Sequence, residues 1–183
     1  MRAPTLTALA AVLLAACDGG GTGPARLQPS DVAGVYELCT LRFTPTNTVL
    51  PAADLLATVV ATDPPAGRPK ASLSLAENRT YDLVYTRRDD AFLQQMRGSV
   101  TYRSGGVELS LPAAGAVQTE LLLPAPLVLD FAAAPGRRLS YETPGFYGVA
   151  RESYTRAAGV SGEGLQPTIN GRLSIVLSAG GCS

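Results

Sequence analysis

Side chains able to run covalent or acid–base chemistry are scarce in this sequence. The chain of 183 residues contains no histidine, which removes Ser-His-Asp and Cys-His nucleophile systems and any imidazole metal site. Two carboxylates suffice for glycoside hydrolysis, so the acidic residues come next. Asp89 and Asp90 are adjacent. In an extended segment such neighbours point to opposite faces, and beside Arg87 and Arg88 they read as a solvated charge cluster. Glu152 and Asp130 form a pair only if the fold brings them together. Asn78-Arg79-Thr80 has the spacing of a glycosylation sequon but lies in a turn-like run. Calcium-loop, P-loop and G-x-G-x-x-G spacings do not occur in the sequence. The expectation is a protein that is not an enzyme and uses no cofactor and no metal.

The three cysteines carry more. Met1-Arg2 supplies a positive start, and Leu6 to Ala16 is an apolar run too short to span a bilayer as a helix. The run ends Leu14-Ala15-Ala16-Cys17, which resembles the lipobox of bacterial lipoproteins. That resemblance implies a signal peptide over residues 1–16, cleavage before Cys17, and acyl groups on this cysteine. Its diacylglyceryl group plus an N-acyl chain exceeds the two-chain threshold for stable anchoring. The expected place is therefore the bacterial cell envelope, lipid-anchored to a membrane on its periplasmic or extracellular face. With Cys17 acylated, Cys39 and Cys182 remain. An exported chain with two spare cysteines is expected to pair them, the alternative being two free thiols.

Charge argues against one class of partner. Lys plus Arg and Asp plus Glu number 15 each, and no basic stripe stands out, so no nucleic-acid partner is expected. Residues 17–29, rich in glycine and proline, read as a flexible tether. Residues 30–183 are long enough for one domain with its own core, and no internal boundary splits them.

The elements that must position these residues have a period of two. Gly34-Val35-Tyr36-Glu37-Leu38 opens the pattern, with Tyr36 and Leu38 on one face and Cys39 on the other. Ala71 to Leu75 and Tyr81 to Tyr85 flank a turn at Glu77-Asn78-Arg79. Val100 to Arg103 and Val107 to Leu111 flank Gly105-Gly106, glycines expected to supply the positive φ of a tight hairpin. Leu127 to Phe131 and Leu139 to Tyr141 flank Pro135-Gly136, and Leu173 to Leu177 closes the series. Weaker strand patterns lie at Leu55 to Ala61, Glu120 to Leu123 and Phe146 to Thr155, and Asp90 to Met96 fits one or two helical turns. Short strands at roughly ten-residue spacing predict an antiparallel all-β domain.

Three segments carry a family resemblance. Gly34-Val35-Tyr36, then Leu73 to Leu83 (LSLAENRTYDL), then Gly98 to Leu109 (GSVTYRSGGVEL) resemble the lipocalin-like domains of bacterial lipoproteins. The tryptophan of the lipocalin G-x-W motif is replaced by Tyr36 and the hairpin glycine by Arg79. The resemblance implies an up-and-down β-barrel of about eight to ten strands, against a β-sandwich as the alternative. In such a barrel the first and last strands are neighbours, so a Cys39–Cys182 bridge would staple the seam. The interior of such a barrel holds packed side chains or one small ligand. Tyr36, Tyr81, Leu83, Tyr85 and Tyr102 are the candidate lining residues for a small, mainly apolar ligand. The alternative is a filled barrel that acts as a structural or protein-interaction module in the envelope. It would use its outer face or the long loops Pro45 to Pro51, Asp63 to Lys70, Ala113 to Thr119 and Gly159 to Pro167. A hydrolase working with carboxylates alone would need two acidic side chains converging in one cleft.

Overall fold

A computed structural model describes residues 26–112, 115–143 and 145–182. Cys17, the signal segment and the tether up to residue 25 lie outside the described residues. In chain order the elements are α1 (Pro29–Val32), β1 (Gly34–Pro45), β2 (Ala53–Asp54), α2 (Leu55–Thr58), β3 (Ala71–Leu75), β4 (Thr80–Thr86) and β5 (Leu93–Tyr102). There follow β6 (Gly106–Leu109), α3 (Ala116–Glu120), β7 (Leu127–Ala132), β8 (Arg138–Glu142), β9 (Tyr147–Ala150), α4 (Arg151–Ala158) and β10 (Thr168–Ser178). Eight strands, β1, β3 to β8 and β10, pair antiparallel with their neighbours. The β1–β10 pairing closes them into a barrel, while β2 and β9 hang on its edges. The fold is the all-β barrel, and the sandwich alternative falls away.

β1 shows how alternation survives a long strand. Tyr36 and Leu38 are buried, and so are Leu41, Phe43 and Pro45. The inward phase thus shifts by one residue, and the register against β10 slips between Leu38 and Thr40. Cys39 occupies this bulge, the extra residue that bends a strand and re-aims its side chain. There it is bonded to Cys182, with a Cα–Cα distance of 5.2 Å across a sequence separation of 143.

The barrel has two unlike ends. At the turn end lie the tight connections Ala76–Arg79, Arg103–Gly105 and 133–137, the disulfide, and α1. Asn78 makes its turn by accepting bonds from the Thr80 amide and hydroxyl through Oδ1. Arg26 and Leu27 also dock here: Arg26 Nε donates to Tyr102 O and Leu27 N to Arg103 O. Residues 26–29, expected in the tether, thus lie against the barrel. At the loop end the long connections 46–70, 110–126 and 143–167 carry α2, α3 and α4.

Several expectations are corrected. Gly105 and Gly106 do not have left-handed φ. Gly106 is needed for space instead, since a Cβ there would lie 2.1 Å from Leu129 O. Asp90 to Met96 is not helical: its second half starts β5. Leu55 to Ala61 contains α2, capped where Asp54 accepts from the amides of Leu56 and Ala57. Glu120 to Leu123 ends α3 and turns, and Phe146 to Thr155 is β9 followed by α4.

Candidate functional site

The barrel interior is the first place for a site, and it is full. Leu41, Leu73, Leu109, Leu129, Leu139 and Leu173 are at most 1% exposed. Leu121 and Leu123, at the end of α3, push into the same space from the loop end. The void left between them and the barrel leucines is about 20 Å³ and wholly apolar. That is space for about one water, which would find no polar partner there.

All five candidate ligand residues face this core and are at most 5% exposed. Leu83 packs in the leucine cluster. Each tyrosine hydroxyl is already engaged. Tyr36 donates to Val32 O at 2.6 Å, pinning α1 under the barrel, and Arg137 stacks over its ring at 5.8 Å while donating to Ala33 O. Tyr81 donates to Ser110 O at 3.0 Å and Tyr102 to Ala76 O at 3.3 Å. Tyr85 donates to the Glu120 carboxylate, tying α3 to β4, and Arg87 approaches the same carboxylate at 3.8 Å. Burial pushes all four hydroxyl pKa values up, and at Tyr85 the bond to Glu120 adds to it. The structure therefore brings these residues together as core side chains whose polar ends close the barrel's own seams.

The carboxylates do not converge. Asp130 stands at the turn end opposite Gly106, whereas Glu152 opens α4 at the loop end. Asp90 pairs with Arg87, which holds its carboxyl below the usual range, and Glu152 pairs with Arg151 at 2.9 Å. Among the described residues no group of three or more His, Cys, Asp or Glu side chains is placed to hold a metal ion. No described helix is long and apolar enough to cross a membrane.

The loop end offers surface instead. The connections there leave Phe92, Val49 and Phe146 exposed, Phe146 at 78%. Behind them the barrel's core continues into the lid. Tyr154 of α4 is fully buried, meets Phe43 edge-on at 6.0 Å, and donates to Pro51 O at 2.7 Å. Between α3 and β9 runs a groove of about 320 Å³, lined by Gln118, Thr119, Leu122, Leu123, residues 147–150 and Ser153. Sequence reasoning missed this groove because it treated 146–155 as a single strand. The signal that could have found it is Tyr154-x-x-Ala157, the buried i,i+3 pair of α4.

No known protein family, curated protein or solved structure matches the chain.

Proposed function

We propose that this protein is a lipid-anchored lipoprotein of the bacterial envelope whose filled, lipocalin-like barrel serves as a non-catalytic interaction module. The observation that carries this reading is the interior: about 20 Å³ of space, dry lining, and four tyrosine hydroxyls spent on internal bonds. Small-molecule sites usually offer about 300–1,000 Å³. The same volume therefore argues against the other reading, a small apolar ligand held by Tyr36, Tyr81, Leu83, Tyr85 and Tyr102.

Anchoring at Cys17 would also orient the domain. Arg26 docks at the turn end, and the stretch from Cys17 to it spans at most roughly 30 Å when extended. An acylated Cys17 thus holds the turn end toward the bilayer and presents the loop end, with its exposed aromatic residues, away from it. Native mass spectrometry of the detergent-extracted protein tests the reading. The expected species is the chain starting at Cys17 with its acyl groups and nothing else. A stoichiometric apolar compound released on unfolding would overturn the filled barrel, and a Cys17→Ser chain that still acquires acyl groups would overturn the anchor.

A further inference from the structure

β9 is an edge strand whose outer side is unpaired. Arg151 N donates to Pro167 O, which fixes the alternation along the β9–β10 ladder. Val149 and Tyr147 exchange bonds with Ile169 and Gly171, so Gly148 and Ala150 turn their backbone groups the other way. The β1 side agrees, since Asn170 O, opposite Gly148, accepts from Thr46 N and not from β9. No described backbone or side-chain group bonds the Gly148 or Ala150 amide. Both open into the groove between β9 and α3.

The groove has a definite chemistry. Its floor is apolar, with Leu122, Leu123 and Val149 buried, and Gln118, Thr119 and Ser153 stand along its sides. No charged side chain lines it. Gly148 is exposed, and so is Phe146, which directly precedes Tyr147 of the lining. Unpaired strand groups beside an uncharged apolar floor match an extended main chain whose inward side chains are apolar and uncharged. A lipid surface would leave these groups unused, and an anion would face the Gly148 carbonyl that points out between the two amides.

We propose that β9 is a docking edge: an extended, uncharged segment of a partner protein adds to it as a further strand, its main chain bonding Gly148 and Ala150. This rests on the reading of the protein as an interaction module and names the partner's conformation. The strand is about 13 Å long, so it takes a segment of about four residues. Such a small contact suits a transient complex, or one part of a larger interface.

Ala150 allows a clean test. Its φ of −61° and ψ of 138° already suit proline, and its amide has no partner to lose. Ala150→Pro thus deletes a groove-facing donor without altering the backbone. The probe is the peptide acetyl-Thr-Val-Thr-Val-Thr-amide, followed by amide NMR on the full folded domain. The expected result is saturable shifts and slowed exchange at Gly148 and Ala150. Binding should weaken about tenfold in Ala150→Pro with an unchanged or higher Tm, and should vanish when alternate peptide nitrogens are methylated. Thr119→Trp, which fills the groove from an exposed position, should block binding independently. Shifts elsewhere, no saturable shift, or binding indifferent to both variants would overturn the proposal. So would a dimer that Ala150→Pro dissolves, because the occupant would then be a second copy. None of these outcomes bears on whether the barrel interior is filled, which the mass measurement reads separately.

Discussion

The two ends of the barrel solve the same problem with different materials. At the turn end, connections of a few residues leave little to cover, and one turn of helix, α1, is enough to plug it. Tyr36 bonds that plug to the barrel, and the Cys39–Cys182 bridge fixes the seam from outside. At the loop end, three of the four connections are long, and three short helices fold over the opening around Tyr154, Leu121 and Leu123. The turn end is held by local hydrogen bonding and one covalent tie, the loop end by burial of distant side chains. Burial leaves a strand edge and aromatic residues uncovered at the loop end.

The largest effect should come from cutting the tie. The bridge closes a loop with a sequence separation of 143, for which the chain-entropy account gives about 4–5 kcal/mol. A Cys39→Ala, Cys182→Ala chain should lose stability of that order in denaturant unfolding. Its amide exchange should rise along the lower parts of β1 and β10 before α4 opens. If α2 and α4 exchange first instead, the two ends are not held independently.

Alkaline pH should probe the other end. Burial raises the pKa of all seven tyrosines, pushing Tyr147 up to about 12 and Tyr85 further because Glu120 also accepts its hydroxyl. A folded-state pKa above the unfolded value of about 10 means the neutral form is favoured in the fold. That contribution is complete below pH 10 and is lost as pH climbs toward the folded values. Stability should therefore be flat through neutral pH and fall steeply above about pH 10. In a Tyr85→Phe, Tyr147→Phe chain the fall should be shallower, since two of the loop end's ionising groups are gone. An unchanged slope would assign the loss to the five tyrosines that remain, Tyr36, Tyr81, Tyr102, Tyr141 and Tyr154.

The same division governs what could be read from the sequence. Ala71 to Leu75 with Tyr81 to Tyr85, and Leu127 to Phe131 with Leu139 to Tyr141, fall on real hairpins. Alternation plus a short turn is a local signal that burial on one face enforces. The staple followed from cysteine counting together with barrel closure. The bulge at Cys39 did not, because a one-residue phase change looks like a break in the pattern. α2 and α4 were missed because helices of four and eight residues show too little period to be told from strands. They are helical because Asp54 caps one and because Tyr154 and Ala157 of the other pack into the barrel's core. As for the site, the interior tyrosines were correctly placed inside, but alternation cannot say whether an interior is hollow. That depended on Leu121 and Leu123, delivered by a connection with no strand rhythm.

The smallest effects give the sharpest test of the comparison, since one backbone conformation occurs at both ends. Arg79 at the turn end and Leu122 at the loop end both hold left-handed φ, 65° and 55°, which costs an L-residue roughly 1–2 kcal/mol. Glycine removes that cost at either position, less what it adds to the freedom of the unfolded chain. At Arg79 the side chain is exposed and the bond from Val100 N to Arg79 O is made by the backbone. Arg79→Gly should therefore stabilise, by about 0.5–1 kcal/mol. Leu122 is 3% exposed and floors the groove beside β9. There the loss of a buried leucine, about 2–5 kcal/mol, outweighs the relief, so Leu122→Gly should destabilise by roughly 1–3 kcal/mol. Opposite signs for one substitution at one φ would show that local geometry rules the turn end and burial rules the loop end. Two stabilised variants would mean that the lid over the loop end is held by its backbone, and that the leucines beneath it contribute little.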